Sequence, residues 1–380
     1  MDGVTELATR LLFCAIGPPE FMGTPFLRVT TSFPVFRVGL LYAPELDRLR
    51  SYVPYQLIPQ LMAADADDFV RVADALLLKS ELVELNCGCP SPIVVGGGAG
   101  SALLQDSEKF LKFVGSCSMR LGPGKLAIKM RTGYEDSAGF LQTVKELAKF
   151  PLARLSVHGR TRLDRYQGMA RWDLIRSAAA AAPFDVWGSG DICDHEGLVL
   201  RAQEASLKGV LIGRGGLRNP WIFESVAENR STILEPQVLE FFFATFVTLQ
   251  TAFLRGDHSL ISLCETGLFH SAAGTSLLKW ADFFEKVSLG VFGGAHEILH
   301  LPVDRKAYAR VKMMWHYLRS SLPAHMMSPA PLRTTSWPDF IGCLRDLSGK
   351  VCVDGKTSID LSHKPEHDWV YSGGRSEAQE

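Results

Sequence analysis

From residue 20 to residue 230, short apolar runs bounded by Gly, Pro or polar residues alternate with stretches in which apolar positions recur every three to four residues. The first pattern suits buried strands and the second amphipathic helices, so their alternation predicts parallel βα units. Seven strands are predicted, over 26–30, 55–61, 82–86, 126–130, 154–158, 184–188 and 209–213. Helical patterns fall between them at 65–79, 107–119, 140–149 and 195–206. Most successive strands lie about 25–30 residues apart, the spacing of a βα repeat. Met1-Asp2-Gly3-Val4 reads like the exit of a further, first strand. The expected architecture is therefore a (β/α)8 TIM barrel with its first strand truncated. An open doubly wound sheet uses the same units but gathers its chemistry at one switch point. Here polar or Gly residues close nearly every strand, at Gln60, Asn86, Lys129 to Arg131, His158 to Thr161, Ser189 to Asp191 and Gly213 to Gly215, which favours the barrel.

After residue 230 the pattern changes. Residues 235–254 are helical and unusually apolar, 304–322 form a second strong helical pattern, and 339–347 a short one. The Gly-rich stretch 255–302 has no clear period and reads as an insertion. From residue 348 the chain is polar. Three parts are expected: a barrel domain over 1–230, a helical domain over 231–347 with the insertion near 255–302, and a polar tail over 348–380.

Composition narrows the class. With 380 residues, 47% hydrophobic and 21% charged, the chain has ample material for a core and is neither disordered nor collagen-like. Its 40 basic and 41 acidic residues give a net charge of -1, which excludes a strongly basic tail but not a basic face opposite an acidic one. Eight cysteines spread this widely are too few for a disulfide scaffold, and no secretory leader precedes them. Cys87-Gly88-Cys89 is too tightly spaced for a zinc knuckle and has no second pair or His cluster nearby, so no metal site is expected. No apolar run reaches the roughly 18 residues of a membrane span. The expectation is a reduced, cytoplasmic monomer with no membrane contact.

The richest chemistry lies in Leu85-Asn86-Cys87-Gly88-Cys89-Pro90-Ser91-Pro92, which leads to Gly96-Gly97-Gly98-Ala99-Gly100 and Leu103-Leu104. A strand ending at Asn86 delivers thiols onto a loop that glycines let fold close to a ligand. Cys87 fits a small buried hydrophobe; Cys89, before proline on the catalytic face, fits equally a structural thiol and a functional one, as acid or nucleophile. Lys129 and Arg131 alternate at the end of an apolar strand and need an anionic partner, either a carboxylate or a bound phosphate or flavin. His158-Gly159-Arg160-Thr161 closes the next strand, where a histidine serves as a core residue or as a ligand contact. Gly188-Ser189-Gly190-Asp191 and Gly213-Arg214-Gly215 end the last two strands, the usual phosphate site of such barrels, which suggests FMN or a phosphosugar. The segment 304–319 holds five Lys/Arg against one acid, interleaved with Tyr308, Trp315 and Tyr317, and suits either a solvated surface or RNA contact.

Asn86-Cys87-Gly88-Cys89-Pro90-Ser91, followed by the glycine run and Leu103-Leu104, resembles the tRNA-dihydrouridine synthases. So do Lys129-Met130-Arg131-Thr132-Gly133, His158-Gly159-Arg160-Thr161 with Tyr166, Gly188-Ser189-Gly190-Asp191, and residues 212–220. The likeness covers most of residues 1–230. Segment 309–319 and Trp337-Pro338-Asp339-Phe340 further resemble the bacterial C-type branch, which acts on uridine 16 of the tRNA D-loop. The resemblance implies an FMN barrel with a helical tRNA-binding domain and NADPH as reductant. Hydride then reaches one carbon of the uracil double bond from the reduced flavin, and Cys89 protonates its neighbour. By motif position, Met1, Asp2, Gln60, Lys129, His158, Ser189, Gly190, Asp191, Gly213 and Arg214 would hold the cofactor. Arg28, Asn86, Arg131, Tyr166, Arg310 and Lys312 would meet the uracil or the tRNA. The chain departs from the branch in its short start, in Ser189 where asparagine is expected, in Pro25 where glutamate is expected, and in 255–302, which has no counterpart. Two other readings stand beside this one: an FMN oxidoreductase of a free pyrimidine or other small molecule, and an RNA-binding homologue impaired in catalysis.

Overall fold

The computed structural model describes residues 4–35, 38, 43–204, 206–270, 273–294, 296–353 and 358–361. Its strands up to residue 230 are, in chain order, β1 (Phe21–Gly23), β2 (Leu27–Arg28), β3 (Gln56–Ile58), β4 (Gln60–Met62), β5 (Val83–Cys87), β6 (Leu126–Arg131), β7 (Arg154–His158), β8 (Asp185–Ser189) and β9 (Gly209–Leu211). Seven of them form one parallel sheet in the order β2-β4-β5-β6-β7-β8-β9. A doubly wound sheet reverses direction at a switch point; this one steps from each strand to the next along the chain, as a barrel wall does. Among the described residues β9 does not pair with β2, so the wall has two edges. Residues 1–3, where a first strand is expected to end, lie outside the described residues.

Most predicted strands are found within a residue or two, but the first two are broken. Pro59 has no N–H to give to a ladder and separates β3 from β4. Opposite it, β1 pairs with β3 and β2 with β4, and the Thr24 hydroxyl takes over a ladder position by accepting the Gln60 N–H at 2.9 Å. The helices start where short acidic side chains cap them. Asp65 accepts the N–H groups of Asp67 and Asp68 ahead of Ala66–Leu77, Asp106 that of Lys109 ahead of Ser107–Leu121, and Asp194 that of Gly197 ahead of His195–Ala202. Each such cap is worth ~1 kcal/mol.

Strand alternation sorts the wall into two faces. Leu85, Cys87, Ile128, Met130, Leu155, Val157 and Val186 are buried beneath the surrounding helices. The other face carries Gln60, Glu84, Asn86, Lys129, Arg131, Arg154, Ser156, His158 and Ser189, a polar interior where most such barrels are aliphatic. Register places these groups in rows: Asn86 beside Lys129 and Ser156, and Arg131 beside His158 and Ser189.

The helical part is built on Val238–Arg255, against which Leu7–Ile16, Leu277–Phe292 and Arg305–Leu318 pack. Aromatic edges fill the centre, with Trp221 and Phe242 rings 5.1 Å apart and Phe243 and Phe340 5.3 Å apart. Trp280 and Phe283, from the stretch read as an insertion, are buried in this same core. The N-terminal helix has no clear sequence signal, because its apolar residues cover most of its circumference. Its buried Arg10 is held by Glu45 through two hydrogen bonds, and Tyr55 donates to the same carboxylate. Val238–Arg255 is long and apolar enough to cross a membrane by length and composition, contrary to the sequence reading, and most of it is buried inside this core. The tail expected from residue 348 also starts later. Helix Trp337–Val353 runs through that position because the Ser348 hydroxyl is buried and donates to the Pro236 carbonyl. Beyond it, β11 (Ile359–Asp360) pairs antiparallel with β10 (Ile233–Leu234).

Candidate active site

The two cysteines after β5 have different environments. Cys87 lies on the helix-facing side, fully buried, where desolvation pushes its thiol well above the ordinary range. Cys89 lies two residues on, half-buried at the C-terminal mouth of the wall. Its backbone is pinned on both sides. The Asn86 Oδ1 accepts the N–H groups of Gly88 at 2.9 Å and Cys89 at 3.0 Å. The Cys89 carbonyl accepts the Ser101 N–H at 3.1 Å and the Ser101 hydroxyl at 2.8 Å. Gly100 makes this fold possible: its φ is +62°, and a Cβ there would stand 2.8 Å from Val94 Cγ1 and 3.1 Å from the Cys89 carbonyl.

Arg131 ties this loop to the next. Its guanidinium donates to the Gly88 carbonyl at 3.0 Å and to the Thr161 and Arg165 carbonyls at 2.7 Å each. Arg131 is only 2% exposed, and these bonds make it a brace between the two loops. Asn86, expected to hold the substrate base, has its acceptor occupied by the loop and donates through Nδ2 to Gln60 at 2.6 Å, which leaves one amide hydrogen for a ligand.

Beside Cys89, Lys129 is half-buried and makes no hydrogen bond or ion pair among the described residues. Desolvation holds its ammonium below the ordinary lysine range, against the opposing pull of Glu84. His158 is driven well below the ordinary histidine value by burial, reinforced by Arg131, Lys129, Arg160 and Arg214, so its ring is neutral near pH 7. Gly190 approaches it so closely that a Cβ would stand 3.2 Å from His158 Cδ2 and 2.5 Å from Ala170 Cβ. Asp191, at φ +57°, accepts from Arg160 at 2.6 Å and from the Ala170 N–H at 2.6 Å. Its carboxylate is thus occupied, and only its backbone N–H is left for the phosphate role expected of it. Ser189 is half-buried next to His158, and Gly213 is exposed at the head of Arg214–Arg218.

The rim is arginine-rich. Tyr166 lies near two guanidinium groups, with Arg214 3.7 Å and Arg131 5.3 Å from its ring centre. Arg28 is exposed and lies against the glycine run, where a Cβ on Gly97 would meet its Nη2 at 2.6 Å. The helix Arg305–Leu318 meets this rim through its C-terminal half. Burial raises the Tyr317 hydroxyl, and the positive charge of Arg214 partly opposes this. The basic stripe expected on that helix is turned largely inward: Arg310 pairs with Glu6 at 2.8 Å, Lys312 donates to the Thr334 carbonyl at 3.0 Å, and Arg319 is buried. Its exposed cations are Arg305 and Lys306. Met1 and Asp2 lie outside the described residues. No group of three or more His, Cys, Asp or Glu side chains suited to a metal occurs among the described residues.

Sequence reasoning gave no role to Glu84 or Ser101. Glu84 carried a usable signal, a lone carboxylate inside the apolar run Val83 to Leu85; Ser101 carried none.

A family model described as dihydrouridine synthase matches residues 1–261. A Coprinopsis cinerea protein named tRNA-dihydrouridine(47) synthase, NAD(P)(+), is 33% identical over 162 residues, which cover 40% of this chain and 24% of that one. A Homo sapiens protein named as a tRNA-dihydrouridine(47) synthase-like protein is 33% identical over 175 residues, 45% of this chain and 27% of its own length. A Rickettsia prowazekii protein bearing the name "Probable tRNA-dihydrouridine synthase" is 33% identical over 149 residues, 39% of this chain and 45% of its own. The match thus spans less than half the length of each of these relatives. With a family model covering well over half of its residues, the chain belongs to the dihydrouridine synthase family.

Proposed function

We propose that the protein reduces a uridine of tRNA to 5,6-dihydrouridine at the barrel mouth, with FMN as cofactor, NADPH as reductant and Cys89 as proton donor. The observation that carries this reading is the placement of Cys89: a half-buried thiol, fixed by Asn86 and Ser101, on the same mouth as an unpartnered lysine and a neutral histidine. The residues present fit FMN. Gly190 brings backbone close to His158, where a Cβ would clash with Ala170, and the Gly-rich turns after β8 and β9 would hold the phosphate. Lys129 supplies a desolvated cation for an electron-rich ring. Bound there, FMN supplies the hydride for one carbon of the uracil double bond. Cys89 holds a proton at Sγ and delivers it to the neighbouring carbon as the double bond is consumed. His158, uncharged, adds no repulsion to the Arg131, Arg160 and Lys129 cations around it.

In this reading the barrel carries the chemistry, the helical part meets tRNA at the rim that Tyr317 shares with Tyr166, and the protein works as a cytoplasmic monomer. The C-type likeness of the sequence points to uridine 16, whereas two relatives bear names that specify position 47. Mass-spectrometric mapping of dihydrouridine in tRNA from cells with and without the gene decides between them. Loss at position 16 supports the first, loss at position 47 the second, and an unchanged map overturns the proposal.

A further inference from the structure

We infer that Glu84 is a positioning residue for Cys89: its carboxylate sets the direction of an amide chain, Glu84–Gln60–Asn86, that ends on the Cys89 backbone. The inference rests on the role proposed for Cys89. Glu84 is buried on the inner face of β5, where its Oε2 accepts from Arg154 at 3.1 Å and Ser156 at 3.3 Å. Its Oε1 accepts from the Gln60 Nε2 at 2.6 Å. A carboxylate held by a guanidinium only accepts, so Gln60 must point its NH2 at Glu84 and its oxygen at Asn86. That oxygen in turn draws the Asn86 NH2 at 2.6 Å. The Asn86 oxygen is thereby aimed at the N–H groups of Gly88 and Cys89.

A neutral amide at position 84 removes the constraint. With an NH2 at residue 84, Gln60 is free to reverse, and Asn86 reverses with it. The Asn86 NH2 would then face two N–H donors, and the loop would lose both bonds. Packing and direction make opposite predictions for two substitutions. If Glu84 merely fills space, Glu84→Gln, nearly the same shape, is the milder change and Glu84→Asp the harsher. If it sets direction, Glu84→Asp, still an acceptor only, is the milder.

The test labels Cys89 in the purified flavin-loaded protein with N-ethylmaleimide and follows the modified peptide by mass spectrometry. Glu84→Gln is expected to speed labelling about tenfold and to slow single-turnover uridine reduction at saturating tRNA by a similar factor. Glu84→Asp is expected within about threefold of native in both. Gln60→Met, which cuts the chain but keeps the Glu84–Arg154 pair, is expected to label as fast as Glu84→Gln and carries the test if the latter does not fold. Native labelling in Gln60→Met, or Glu84→Asp being the harsher change, overturns the inference. Labelling reads the chain whether or not the native protein reduces a uridine, so failure of the proposed activity shows separately.

Discussion

His158 illustrates how burial at the mouth reaches into whole-protein behaviour. Its folded value lies well below the ordinary 6.5, so the unfolded chain takes up a proton on acidification before the native protein does. Protonation then favours the unfolded state, and stability falls as pH drops below the ordinary value towards the folded one. Replacing His158 by Asn removes this contribution, so the variant is expected to lose less stability than the native protein between about pH 7 and about pH 5 in urea titrations. An equal loss would place the ring in water. Gly100 offers a second test. Ala there adopts a left-handed backbone and presses on Val94 and the Cys89 carbonyl, so Gly100→Ala is expected to cost about 1–3 kcal/mol and to displace the thiol. Chemical denaturation beside Cys89 labelling separates the two effects.

At the level of elements, β6 and β7 were legible because each alternates cleanly between a helix-facing apolar side and an inner polar side; the predicted 154–158 is β7 itself. The predicted strand 55–61 contained Pro59, and the break there follows from its missing N–H. Leu7–Ile16 was not legible, since its support comes from Val238–Arg255, more than two hundred residues away. The basic helix was legible in position but not in orientation. Charge along 304–319 suggested a displayed stripe, whereas Glu6 and the Thr334 carbonyl, both distant in sequence, draw Arg310 and Lys312 inward. This changes the expected mutational pattern. Arg310→Ala should lower stability and leave the salt dependence of tRNA binding unchanged. Arg28→Ala, at the exposed rim, should reduce the slope of log Kd against log salt by about one. A reduced slope for Arg310→Ala would return that helix face to the RNA surface.

For the molecule as a whole, the net charge is -1, and several arginines lie near the C-terminal ends of the strands. Arg28, Arg162, Arg165, Arg171 and Arg214 follow the ends of the strands, with Arg171 paired to Asp164, Arg162 on the Tyr134 ring and Arg214 on the Tyr166 ring. In the proposed reading these arginines draw the tRNA backbone to the mouth. The barrel and the Cys89 motif were readable from residues close together in the chain. The Glu84–Gln60–Asn86 chain, the Arg131 brace and the Tyr317 contact were not, because each joins separate elements that only the fold brings together. What unites these features is the placement of one sulfur at the mouth where we propose that a flavin and a uracil meet. The direct measurement is single-turnover dihydrouridine formation by flavin-loaded Cys89→Ala and Cys87→Ala proteins on the same tRNA. Cys89→Ala should bind tRNA and accept electrons from NADPH yet form no dihydrouridine, while Cys87→Ala turns over near the native rate; equal activity in the two variants would contradict the assignment of the proton to Cys89.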